Sequence, residues 1–108
     1  MSIEKLVFNH HQISMAGGAA LGCSYKWPGG QYCVIHTDRG ILGCGIYDCA
    51  IATKFGIVLA ICRGTPDNPL REPNDLLNAF VAEVSHPAAN LGIEVGMRGS
   101  DALRILLA

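Results

Sequence analysis

A thiol between two glycines, Gly43-Cys44-Gly45, stands where a β-rich run gives way to a helical pattern. That position suits nucleophilic chemistry. A thiol at a helix N-terminus sees the positive end of the macrodipole, which lowers its pKa below the free value of about 8.5 and raises the thiolate fraction. Glycines on both sides allow close approach of a ligand, or an unusual backbone conformation of the kind found at a nucleophile turn. Two familiar patterns are excluded. Leu42 and Ile46 occupy the outer positions where the GxSxG elbow needs glycine, and Asp48 stands where a dinucleotide fingerprint needs its third glycine. The competing reading of Cys44 is a small buried residue between two tight-turn glycines.

Other candidates surround this thiol. His36 is the histidine expected to approach Cys44 as a base, because the turn Asp38-Arg39-Gly40 folds its strand back beside Ile41 to Cys44. Asp48 suits either a helix cap or a ligand hydroxyl, and a carboxylate close to Cys44 would oppose thiolate formation. Arg63-Gly64 ends an aliphatic run, at the carboxyl edge where open sheets bind ligands, and a guanidinium there can grip a carboxylate or phosphate or, equally, form a structural ion pair. Arg98, between Gly96 and Gly99, makes a second corner able to hold an anion, although a capping loop is the favoured reading. Gly43, Gly45, Asp48, Arg63, Gly64 and Arg98 are thus the candidate ligand-binding set, with Cys44 and His36 the candidate catalytic pair. The five cysteines and four histidines show no zinc-finger or zincin spacing, so no metal site is expected. No cofactor is indicated.

The elements that must position these groups follow from pattern. Ile3 to Phe8 and Ala19 to Trp27 read as strands, with Ala16-Gly17-Gly18 as a bend between them. Pro28-Gly29-Gly30 predicts a hairpin into a strand from Gln31 to Thr37, and Ile41 to Cys44 continues the sheet. Tyr47 to Phe55 reads as a short helix, with Asp48 in its first turn and Gly56 at its end. Ile57 to Cys62 reads as a central strand covered on both faces. Arg63 to Pro73, rich in proline, is loop, and Asn74 to Phe80 reads as a helix with Leu76, Leu77 and Phe80 as its apolar stripe. Ser85 caps another short helix, and Ser100 is expected to cap the last one, whose Leu103, Leu106 and Leu107 face one way. The sum is one small α+β (mixed α/β) domain over residues 1–108, a mixed sheet that begins with an antiparallel hairpin and carries short helices.

Composition narrows the function classes. With 108 residues, half of them apolar and only 16% charged, the chain has the make-up of a folded domain rather than a disordered or highly basic segment. A net charge of -1 supplies no strong field for nucleic acid or anionic lipid, so neither is an expected partner. The near-apolar stretch from Gly40 to Cys62 carries charges at Asp48 and Lys54 and glycines at Gly43, Gly45 and Gly56, which argues for strand, helix and strand rather than a membrane span. The N-terminus shows no secretory pattern and the odd cysteine count no disulfide framework, so a cytoplasmic protein with free thiols is expected.

Three segments, Cys44-Gly45-Ile46-Tyr47-Asp48, Asp75-Leu76-Leu77-Asn78-Ala79 and Ala88 through Leu103 with its Gly92-Ile93-Glu94-Val95-Gly96-Met97, resemble the YunC-like family of small bacterial and archaeal proteins. The resemblance spans roughly Tyr32 to Leu107 and implies an intracellular α and β domain, with no activity attached. This chain differs in a longer proline-rich loop and in Asp101, where glutamate is expected. Three functions stay open at this point: a small-molecule binding or accessory module, a Cys44-dependent enzyme acting on a small metabolite, and a structural homo-oligomeric subunit. The high apolar fraction favours self-association in any of them.

Overall fold

A computed structural model describes residues 3–108. Six strands form a single sheet in sequence order: β1 (Val7–Met15), β2 (Gly18–Trp27), β3 (Gly30–His36), β4 (Ile41–Gly43), β5 (Leu59–Arg63) and β6 (Phe80–Val84). All neighbours are antiparallel except β4 and β5, which run parallel. A parallel neighbour cannot be reached by a tight turn, and the crossover is supplied by helix α1 (Cys49–Lys54). The other helices are α2 (Pro73–Leu77), α3 (His86–Asn90) and α4 (Gly99–Leu107).

Side-chain alternation splits the sheet into two faces. One carries Cys33 and Ile35 of β3, Leu42 of β4, Ala60 and Cys62 of β5 and Val81 of β6, and packs with Leu76 of α2 and Ala102, Leu103 and Leu106 of α4 into the main core. The other carries Leu59 and Ile61 under Cys49 and Ala52 of α1. Farther along that second face an aromatic row crosses the first three strands, with Phe8 edge-on to Tyr25 and Tyr25 stacked on Tyr32. Phe8 and Trp27 on it remain exposed.

Several expected elements shift. The first strand is Val7–Met15 and not Ile3 to Phe8; Ile3–Lys5 is a single 3₁₀ turn. Of the strand's residues Ile13 alone is buried, because β1 is an edge strand held by its hairpin to β2. Phe80 belongs to β6 and not to the preceding helix, which ends at Leu77. Pairing with β5, together with Val81 N–H donating to Met97 O at 2.8 Å and Gly96 N–H to Val81 O at 2.8 Å, outweighs the helical stripe that Phe80 shares with Leu76 and Leu77. Arg98, not Ser100, occupies the N-cap of α4. The expected central strand is found two residues later than Ile57, over Leu59–Arg63, with Leu59, Ala60, Ile61 and Cys62 all buried and Ile57 exposed before it. No helix among the described residues is long and apolar enough to cross a membrane.

Candidate functional site: a thiol pair at the end of the parallel strands

The turn Thr37 to Gly40 sets the register of β3 on β4. Thr37 N–H donates to Gly40 O at 2.9 Å, and His36, Ile35 and Val34 then face Ile41, Leu42 and Gly43. One step further, Cys33 stands opposite Cys44, and Cys44 N–H donates to Cys33 O at 3.3 Å. The same row continues outward in both directions. Ser24 of β2 is opposite Cys33, and the parallel ladder that pairs Gly43 with Ile61 brings Cys62 next to Cys44. Three thiols and a hydroxyl therefore lie side by side across four strands on the face covered by α2 and α4.

The row is closed at one end by a carboxylate. Ser24 Oγ–H donates to Glu72 Oε1 at 2.8 Å, and Lys26 Nζ donates to the other oxygen, Glu72 Oε2. The Lys26 ammonium holds the Glu72 carboxyl below its ordinary range. Glu72 N–H in turn donates to Asp75 Oδ2 at 2.9 Å, which fixes the start of α2 above the row.

Cys33 is fully buried and Cys44 is 7% exposed. Cys44 opens onto a surface depression of about 430 Å³, with Gly45 and Ile46 on its own side and Cys62, Arg63 and Gly64 facing it. This is the carboxyl end of the parallel pair β4 and β5, where open sheets place their ligands.

The two thiols are unequal. The Cys33 thiol donates to the Cys44 sulfur, and with the backbone N–H of Ile46 this outweighs partial burial and lowers the Cys44 pKa to about 5. Cys33, which supplies that hydrogen bond and is buried, is pushed far up. Within this facing pair the fold lowers the outer thiol and raises the inner one. Cys62 is pushed up to about 12 by burial. Tyr47 is raised by burial and then by the Cys44 charge, and stays a neutral phenol.

The helix-dipole account of Cys44 is therefore replaced. Helix α1 starts at Cys49, well beyond Gly45, and the cysteine at its N-terminus, Cys49, has its pKa raised by burial. Asp48 is the cap: its Oδ1 accepts from Ala50 N–H at 2.8 Å and Ile51 N–H at 3.1 Å. It borders a separate apolar hollow with Ile46 and Ile51, away from the Cys44 depression. Replacing Asp48 by alanine should cost about 1 kcal/mol in a denaturation experiment, the usual value of an N-cap, while leaving Cys44 labelling unchanged.

His36 does not meet Cys44. It lies three positions along β3 from Cys33, roughly 10 Å away at strand rise, and an odd step puts its side chain on the opposite face. It borders a different depression with Gln12, Thr37 and Asp38. Arg98 rests its guanidinium on the Phe80 ring, 5.0 Å from the centroid, one strand beyond the site. Two of the glycines are explained by packing. A Cβ on Gly43 would come within 2.6 Å of the Tyr47 ring, and one on Gly64 within 2.7 Å of Asn68 O. At Gly45 a Cβ would meet nothing, so this residue keeps the depression open beside the thiol.

Arg63 does line the same depression as Cys44. Its guanidinium pairs with Glu83 at 3.0 Å, both groups exposed, and such pairs are worth ~0–1 kcal/mol. Cys33 and Cys62 were not singled out by motif, although counting back from the Thr37–Gly40 turn along β3 as one counts forward along β4 leads to Cys33 opposite Cys44. Among the described residues no three His, Cys, Asp or Glu side chains gather so as to hold a metal ion.

Fold and site together define a small mixed α and β domain that presents a cross-strand thiol pair at the carboxyl end of two parallel strands. The chain belongs to the family described as "Domain of unknown function (DUF1805)", which it matches over residues 43–106, a stretch that contains Cys44, Cys62 and Arg63. It is 30% identical over 95 residues to the uncharacterized protein YunC of Bacillus subtilis (strain 168), covering 84% of this chain and 89% of that one. The crystal structure of a protein of unknown function from Thermoplasma acidophilum superposes with a TM-score of 0.82 over 94% of each chain, at 20% identity. The YunC-like resemblance and the mixed sheet with its opening hairpin are both found.

Proposed function

We propose that the protein binds a small metabolite in the depression at the end of β4 and β5 and that Cys44 attacks it as a thiolate. The observation that carries this reading is the Cys33–Cys44 pair. A buried donor thiol holds the proton, and the outer sulfur keeps its charge where it meets the depression. Pocket-lining thiolates next to a guanidinium suit an electrophile that also bears an anionic group. Gly45 leaves room for it beside the sulfur, and Arg63 stands across from the sulfur with only a surface ion pair to give up. This joins two of the functions left open by sequence, ligand binding and thiol chemistry, at one place.

Alkylation by a small neutral reagent, resolved by peptide mapping across pH, tests it. Cys44 should label first, with an apparent pKa near 5. Cys23, Cys33 and Cys62 are at most 2% exposed and should label only on unfolding, while Cys49, 9% exposed but with its pKa raised by burial, should label well after Cys44. Protection of Cys44 until the chain unfolds would make it a packing residue and end the proposal.

A further inference from the structure

We propose that the site performs thiol–disulfide exchange with a small disulfide, Cys44 being the attacking thiol and Cys33 the one that resolves the mixed disulfide. The inference rests on the reading of Cys44 as a nucleophile and adds to it a substrate class and a second reacting residue.

Cys33 and Cys44 face each other on adjacent antiparallel strands and share the hydrogen bond from Cys44 N–H to Cys33 O. Residues paired in this way have Cα atoms about 5.5 Å apart, inside the roughly 4.4–6.8 Å that a disulfide spans. Both side chains leave the same face of the sheet. Their exposure divides the work. The outer sulfur borders the depression, while the inner one is 0% exposed and can reach a substrate only through its neighbour. Cys62 lies on the other side of Cys44, but the antiparallel backbone bond of Cys44 is made to Cys33.

The steps balance without any further oxidant. The Cys44 thiolate attacks one sulfur of the small disulfide, the sulfur–sulfur bond breaks, and the first thiolate leaves and takes a proton from water. Cys33 then gives up its proton, attacks the Cys44 sulfur and expels the second thiolate, which takes up that proton. Two cysteine thiols are oxidised to one disulfide and the small disulfide is reduced to two thiols. The order is enforced by the pair itself. In the resting state Cys33 is held protonated first by its hydrogen bond to Cys44 and then by burial and the Cys44 charge. Once Cys44 carries the mixed disulfide that charge is gone, and Cys33 becomes easier to ionise only when it is needed. Arg63 across the depression favours a disulfide that bears carboxylates.

Reduced full-length protein treated with oxidised glutathione tests this, read by intact mass, released glutathione and peptide mapping. Two equivalents should be released per chain and a Cys33–Cys44 bridged peptide should appear, also in Cys62→Ala. Cys33→Ala should lose the second equivalent and keep glutathione on Cys44, and Cys44→Ala should release none. A stable adduct on Cys44 of the wild type, or a bridge to Cys62, would overturn Cys33 as the resolving thiol. Rapid alkylation of Cys44 combined with inertness towards oxidised glutathione and hydroxyethyl disulfide would overturn the substrate class and leave the nucleophile standing. Inertness towards both reagents would remove the nucleophile reading itself. Should Cys33→Ala fail to fold, the bridged peptides of wild type and Cys62→Ala decide the matter.

Discussion

Gly99→Ala is expected to destabilise the fold by about 3 kcal/mol, at or beyond the upper end of ordinary overpacking. A Cβ at this position would lie 1.8 Å from the Leu76 carbonyl oxygen and 2.9 Å from its carbon. Both atoms are backbone, so no rotamer change relieves the contact. Helix α4 would have to move away from α2, and it carries Ala102, Leu103 and Leu106, all buried in the main core. The shift would also strain the bond from Gly99 N–H to Ala79 O, 2.8 Å long. The better helix propensity of alanine returns at most about 1 kcal/mol. Denaturant midpoints measured beside Gly45→Ala provide the control, because a Cβ at Gly45 meets nothing. Equal midpoints for the two variants would show that α2 and α4 do not touch in this way.

The second large effect concerns Cys33→Ala. Removing the thiol that donates to Cys44 should carry the Cys44 pKa from about 5 most of the way to a free thiol's value, about 8.5. At pH 6 the thiolate fraction, and with it the alkylation rate, should fall on the order of a hundredfold. Folding stability should report the same coupling. Cys44 ionises more readily folded than unfolded, so its contribution is complete above the unfolded pKa and is lost as pH falls towards about 5. Cys33 and Cys62 ionise less readily in the fold, so their contributions are complete below the unfolded pKa and are lost as pH rises beyond it. Stability from these thiols is therefore greatest near the free thiol pKa. Urea midpoints from pH 5 to about 9 should rise with pH in the wild type by more than in Cys44→Ala over the acidic half of that range. Identical slopes would contradict a depressed Cys44.

Much of the frame was legible from residues alone, for local reasons. Pro28-Gly29-Gly30 makes its hairpin because Gly29 takes a positive φ of 105° that other residues rarely adopt. Leu59 to Cys62 must be a covered strand because nothing in it tolerates water. Asp48 and Ser85 cap their helices through side-chain oxygens that accept from N–H groups two or three residues on. Arg63 was expected at an accessible edge, and it lines the depression there, because the end of a central strand is a place that topology alone makes accessible.

The tertiary structure decided what depends on partners distant in the chain. Phe80 fits a helical stripe and a strand equally well by spacing, and the choice fell to β5 and to the Met97 backbone, neither of which spacing can see. His36 was drawn towards Cys44 by the correct hairpin, but the face it occupies follows from a parity that a search for nearby histidines ignores. The surroundings of Cys44 follow the same rule. Sequence placed a thiol between glycines near a helix, whereas the neighbour that lowers its pKa is Cys33, a residue of another strand that stands opposite Cys44 only once the register of β3 on β4 has formed. Turns, caps and buried runs are written in neighbouring residues. A pair of thiols facing each other across two strands exists only in the folded sheet.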